Sequence, residues 1–287
     1  MSAGAALVAA CGSEKPGVVA DDGSVTVKHA FGETKIPAPP KRVVSAGFTE
    51  QDDLLAVGVV PIAVTDWFGG EAFGVWPWAR QKLGDAQPVM LNLNDGIQID
   101  PIAALRPDLI IAINAGLDQD TYTKLTAIAP TVAQTGQDAF FEPWKDQAST
   151  VGQAVFKHDD MQALIAGVEE RFTGVGTNNP AFAGKKALLL QGTLARDGAQ
   201  VMTPVWRSDF LTQMGFTVAD DIDAADVLIW ATETDEEQAA LLADPAIAKK
   251  RNVFTGKELA GAIAFASPLS YALVADQLPQ RIAQVLA

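Results

Sequence analysis

Past residue 24 the chain alternates compact apolar runs with segments of helical period. Residues 25–29 alternate apolar and polar positions as a short strand does, and the prolines at 37, 39 and 40 end that pattern. The run 42–46 has strand length. A helical pattern carrying Leu54, Leu55 and Val57 then closes at Gly58, before a second strand over 59–64. Ile102, Ala103 and Leu105 mark a short helix that stops at Arg106-Pro107, and 108–113 reads as a buried strand. Residues 122–128 are helical and 130–133 extended. Strand and helix in repeated alternation predict a parallel sheet with helices on its faces.

The middle changes character. Trp144, Ala148, Val151 and Val155 recur at helical spacing, and a second helix runs through Met161, Leu164, Ile165, Val168 and Phe172. Asp159 and Asp160 fit as its N-terminal caps, Gly174 and Gly176 as its end, with Asn178, Asn179 and Pro180 as a stop. At ~1.5 Å per residue this helix is about 25 Å long, the width of a small lobe. A new α/β unit follows, with strands over 186–191, 227–230, 252–254 and 262–265 and a closing helix over 270–286. The pattern therefore predicts an α/β protein of two Rossmann-like lobes joined by one long α-helix. Its segments are a leader remnant and tether over 1–24, an N-terminal lobe over 25–158, the linking helix over 159–178 and a C-terminal lobe over 179–287.

Composition narrows the chemistry. Of 287 residues 48% are apolar, enough for a real core, and a net charge of −14 opposes binding to nucleic acid. One cysteine and two histidines leave neither an internal disulfide nor a cysteine or imidazole metal cluster. Any metal handled here arrives already chelated. The small apolar N-terminus ends in Val8, Ala9, Ala10 and Cys11, the pattern of a bacterial lipobox whose cysteine becomes lipidated; an incidental cysteine in a small-residue tail is the alternative. It has no basic n-region, which implies missing residues upstream of Met1.

Common catalytic signatures are absent. There is no Gly-x-Ser-x-Gly turn and no phosphate-cradling Gly-rich loop, and Gly174-x-Gly176 follows a helix rather than a strand. The aromatic inventory says more. Residues 66–78 place Trp67, Phe68, Phe73, Trp76 and Trp78 in a Gly/Pro-rich loop after a strand, where open α/β sheets bind ligands. Residues 139–144 form a second aromatic cluster after a strand, and Trp206-Arg207 sits in a loop of the other half. Together these predict a broad, partly apolar cleft.

From about Val25 to the C-terminus the chain resembles the iron-siderophore, vitamin B12 and haem substrate-binding proteins of ABC importers. The resemblance rests on Pro40 to Val44, on Phe48, Thr49 and Glu50 leading into 53–59, and on Gln98 to Asp100 leading into 104–110. The second lobe adds 223–230 and 265–271. The loop 66–78 is most similar to the actinobacterial iron-transport lipoproteins. This resemblance implies two lobes rigidly joined by one helix, a class III substrate-binding protein with ligand held between the lobes. It places Asp100, where most relatives have Glu, against permease arginines. Relatives carry a further segment where only 217–222 connect here, so either this lobe is trimmed or a stretch is missing.

The expected function is a lipid-anchored receptor on the outer face of the cytoplasmic membrane, a monomer that captures a ferric siderophore and hands it to an importer permease. No cofactor is expected, because the siderophore's own oxygens saturate the iron. Candidate ligand-facing residues are Thr49, Glu50, Trp67, Phe68, Trp76, Phe140, Arg196, Trp206, Arg207 and Tyr271, contributing aromatic faces and arginine donors. Haem capture on the same fold is the alternative, with Tyr271 as the iron ligand. An enzyme or assembly-factor lipoprotein built on the same lobes is a third reading.

Overall fold

A computed structural model describes residues 15–191 and 199–287 of the chain; the lipidation candidate Cys11 lies outside them. The chain opens with a hairpin, β1 (Val25–His29) and β2 (Gly32–Ile36). The first α/β unit follows: β3 (Val43–Ser45), α1 (Glu50–Ala56), β4 (Ala63–Thr65), α2 (Pro77–Leu83), β5 (Val89–Leu91), α3 (Ile99–Leu105), β6 (Leu109–Ala112), α4 (Gln119–Thr126) and β7 (Thr131–Ala133). Its sheet is wholly parallel in the order β5-β4-β3-β6-β7, with Ile110 paired to Val44. Every residue of β3, β4, β6 and β7 is buried, the run expected of strands covered on both faces.

Two helices lead out of this lobe, α5 (Trp144–Ala154) and α6 (His158–Asn178). The second lobe holds β8 (Lys186–Gln191), β9 (Gln200–Val201), α7 (Asp209–Gln213), β10 (Thr217–Val218), β11 (Val227–Ala231), α8 (Asp235–Leu242), α9 (Pro245–Ala248), β12 (Asn252–Phe254), α10 (Lys257–Phe265) and α11 (Pro268–Leu286). Its sheet runs β10-β8-β11-β12 in parallel, with β9 antiparallel to β8. Capping boxes fix the starts of α8, between Thr234 and Glu237, and of α11, between Ser267 and Ser270.

Helix α6 joins the lobes, burying Met161, Ile165, Val168 and Phe172 along one stripe. Three details differ from the sequence expectation. The helix starts at His158, so Asp159 and Asp160 occupy its first turn, where they complement the dipole, and cap nothing. It also runs through both glycines to Asn178. A Cβ at Gly176 would come within 3.0 Å of the Met214 backbone, so that glycine permits close approach rather than ending the helix. Lastly, 262–265 is the end of α10 and not a strand. That helix is buried nearly all round, and an apolar run without a polar face carries no period to distinguish the two.

The lobes are joined by more than α6. Helix α11 packs on α6 of the linker and also on α1 and α2 of the N-terminal lobe. Tyr271 of α11 meets Trp144 of α5 edge to face at 5.3 Å, within one core that extends through both. The buried Asp52 of α1 accepts hydrogen bonds from Trp78 Nε1 at 2.6 Å and from Ser267 Oγ at 2.8 Å. The indole of Trp76 lies over Gly261 of α10, and Lys257 donates to the Gly69 carbonyl and the Glu71 carboxylate. No helix among the described residues is long and apolar enough to cross a membrane.

Candidate functional site

The carboxyl ends of the N-terminal strands carry a belt of aromatic rings. Phe48 follows β3, Trp67 and Phe68 follow β4, and Phe140 and Phe141 follow β7. Phe48 stacks on Trp67 at 5.5 Å and on Phe140 at 5.7 Å; Trp67 meets Phe68 edge on at 4.6 Å and Phe141 at 5.2 Å. Parallel strands leave their C-terminal edge free for such loops, which is why the rings collect here. Phe265, from the end of α10, closes the belt from the other lobe at 5.7 Å from Trp67.

Opposite the belt stands Arg207, in a 3₁₀ turn (Val205–Ser208). Only 3% exposed, it donates from Nη1 to the carbonyls of Ile263 and Ala264. Its guanidinium lies 5.0 Å over the Phe141 ring and 5.1 Å over that of Trp206, while Trp206 Nε1 donates to the Phe141 carbonyl at 3.0 Å. Burial pulls the arginine below its ordinary pKa, yet guanidinium stays protonated at neutral pH. Its Nε is buried and has no hydrogen-bond partner among the described residues. Between belt and arginine lies a cavity of about 400 Å³, within the range of small-molecule sites. Trp67, Phe68 and Phe141 form its N-terminal wall; Gln191, Met202, Thr203, Arg207 and Glu233 are prominent on the other.

The structure brings together some of the sequence candidates and separates others. Trp67, Phe68 and Arg207 line the cavity. Trp206 backs Arg207, and Phe140, 42% exposed, stands at the rim beside Phe48. Thr49 and Glu50 are buried in the first lobe instead. The Glu50 carboxylate accepts from the backbone N–H groups of Thr49, Ile113 and Asn114, and Thr49 Oγ1 from Asn114 and Gln147. Desolvation raises the pKa of Glu50 to about 7 against the lowering effect of those backbone donors. Trp76, 1% exposed, is stacked on Trp78 at 4.9 Å in the seam between lobes. Tyr271, 2% exposed, sits among Trp144, Phe172 and Phe210, where burial raises its phenol pKa. These four are packing and framework groups, and a tyrosine so enclosed offers haem iron no approach. Asp100 is exposed in the first turn of α3, and Arg196 lies outside the described residues.

Sequence reasoning placed Phe141 in the aromatic cluster 139–144 without naming it as a ligand residue, and did not single out Phe265, Gln191 or Glu233. Phe141 is the hinge of the site, touching Trp67, Trp206 and Arg207 with φ at 58°. Nothing in a Phe-Phe pair announces a left-handed backbone at the second ring, a region that favours glycine.

Comparison with known proteins fits this architecture. A family model described as "Periplasmic binding protein" matches residues 43–224. The putative ABC transporter substrate-binding lipoprotein YhfQ of Bacillus subtilis is 29% identical over 218 residues, covering 74% of this chain and 64% of its own. The probable siderophore-binding lipoprotein YfiY of Bacillus subtilis is 32% identical over 197 residues, covering 67% of this chain and 56% of its own. The chain thus spans less than two thirds of the length of either. The solved periplasmic solute binding protein of Mycobacterium smegmatis is 65% identical, with a TM-score of 0.90 over 93% of this chain and 100% of that one. Matched from the first strand of its N-terminal sheet into its second lobe, the chain belongs to the periplasmic binding protein family.

Proposed function

We propose that the protein is the extracytoplasmic receptor of an ABC importer, which captures a ferric siderophore between its lobes and delivers it to the permease. The carrying observation is the pairing of aromatic faces on one lobe with a buried, part-unpartnered arginine on the other across a cavity of about 400 Å³. A chelated iron needs no ligand from the protein. It needs apolar contact for the chelator's frame and a few donors for its oxygens, which Trp67, Phe68, Phe141 and Arg207 can supply. The names of YhfQ and YfiY support the importer and siderophore parts of this reading. Asp100, exposed at the start of α3, is the candidate contact for permease arginines.

Cys11 anchors the receptor to the membrane in this reading. In a full-length native chain, Cys11→Ser should release the protein from membranes; equal retention would remove the anchor. The ligand reading is tested by titrating tryptophan fluorescence with ferric siderophores, haemin and cobalamin. A ferric siderophore should quench saturably at one equivalent and leave intact. Quenching by haemin or cobalamin alone, or turnover of the ligand, would refute it.

A further inference from the structure

Trp67 and Phe68, two walls of the cavity, open a loop that turns on two left-handed glycines, Gly69 at φ 90° and Gly70 at φ 64°. No side chain fits at position 69, because a Cβ there would stand 2.4 Å from the Trp76 ring. The Gly69 backbone therefore lies close against that indole, and its carbonyl accepts a hydrogen bond from Lys257 Nζ at 2.6 Å. Lys257 is the first residue of α10, on the other lobe.

The same ammonium donates to Glu71 Oε1 at 2.9 Å and stands 5.5 Å from the centre of the Trp76 ring. Glu71 is held from within its own lobe. Arg80 of α2 donates to its second oxygen, Oε2, at 2.9 Å, and also to the Val75 carbonyl at 3.2 Å. The first lobe thus offers a carbonyl, a carboxylate oxygen and a ring face, and one cation of the second lobe takes all three. An ammonium on a flexible stem, with three rotatable donors, suits so mixed a set. Lys257 is half exposed, and an exposed ion pair by itself adds little to global stability. Its consequence is local. Gly69 directly follows Phe68, whose ring meets Trp76 at 5.4 Å and Phe265 at 6.1 Å.

Resting on the siderophore reading above, we infer that Lys257 is a positioning residue for ligand capture. It fastens the loop 67–71 to the second lobe and so holds Trp67 and Phe68 in the cavity wall before the ligand arrives. Without that contact the loop must be ordered as the ligand binds, which costs affinity.

The test compares the full protein with Lys257→Met, which keeps the stem and loses the charge, and with Lys257→Arg, whose guanidinium can serve the same carbonyl, carboxylate and ring. Hydrogen exchange of the free proteins is read at Gly74 and Val75, whose N–H groups donate to the Glu71 and Ala72 carbonyls in the turn that ends this loop. Affinity is read by fluorescence titration with ferrichrome, ferric enterobactin and ferric citrate, a hydroxamate, a catecholate and a carboxylate complex. In Lys257→Met the two amides should exchange severalfold faster, and the complex that the native protein binds should bind about three- to tenfold more weakly, at an unchanged melting temperature. Lys257→Arg should restore both. Native exchange or native affinity in Lys257→Met, or an equal loss in Lys257→Arg, would overturn the role of Lys257 and leave the siderophore reading standing. If the native protein binds none of the three complexes, the siderophore reading fails, and this inference with it.

Discussion

Replacing Gly261 with alanine should destabilise the protein, although the same exchange ordinarily strengthens a helix. Gly261 lies inside α10, where an alanine would gain about 1 kcal/mol of helix propensity. Its new Cβ would stand 2.5 Å from Trp76 Cη2, and 2.7 and 2.8 Å from two further ring carbons. The indole cannot retreat. It stacks on Trp78 at 4.9 Å, and a Cβ at Gly69 would meet its ring at 2.4 Å, so the ring is already held closely there too. Overpacking of this kind costs about 1–3 kcal/mol, and against a ring held from both sides the upper part of that range applies, leaving a net loss of about 1–2 kcal/mol after the propensity gain. The control is Gly167→Ala in α6, where a Cβ meets nothing within 4 Å and only the helix gain applies. Thermal unfolding followed by near-ultraviolet circular dichroism should show Gly261→Ala melting lower by a few degrees, at roughly 2–4 °C per kcal/mol, and Gly167→Ala melting higher. Because Trp76 belongs to one lobe and Gly261 to the other, a Gly261→Ala protein as stable as the control would show that the lobes do not meet along this seam.

Other expectations follow from the same packing. Desolvation raises Asp52 to about 6 and Glu50 to about 7, and Asp53 well above its usual range. Carboxyls with raised folded-state pKa contribute stability fully below about pH 4 and lose it as pH rises through 6–7, so melting temperature should climb from pH 7.5 to 5.5. Asp52→Asn should flatten that climb, and an unchanged slope would exclude Asp52 as a source. Trp67→Ala should weaken ferric siderophore binding by about 1–3 kcal/mol with the fold intact, and unaltered affinity by fluorescence or calorimetry would remove Trp67 from the site. Solution scattering of free and loaded protein should differ by a lobe rotation of only a few degrees, since α6 and the seam at Asp52, Trp76 and Trp206 resist opening. A rotation of tens of degrees would contradict that.

The sequence made the two α/β units and the linking helix legible because their signals are local. Apolar runs such as 186–191 and the stripe through Met161, Ile165, Val168 and Phe172 carry their own period. The aromatic loop 66–78 was legible as a candidate site, but its rings divide by destination. Trp67 and Phe68 turn into the cavity and Trp76 into the seam, and that division depends on α10 arriving opposite. Contacts between distant segments leave no periodic trace, so the partnership of Asp52 with Ser267 and the enclosure of Tyr271 could not be read beforehand. Glu50 and Tyr271 looked like ligand groups because their chemistry suits one. Burial decided otherwise.

In the proposed receptor, chelated iron sits between the aromatic belt and Arg207 with no bond to the protein. Anomalous diffraction at the iron edge, from crystals of the protein loaded with a ferric siderophore, tests it most directly. The expected result is a single iron peak in the cavity bounded by Trp67, Phe141 and Arg207, coordinated only by siderophore oxygens. An iron peak outside that cavity, or a protein side chain in its coordination sphere, would contradict it.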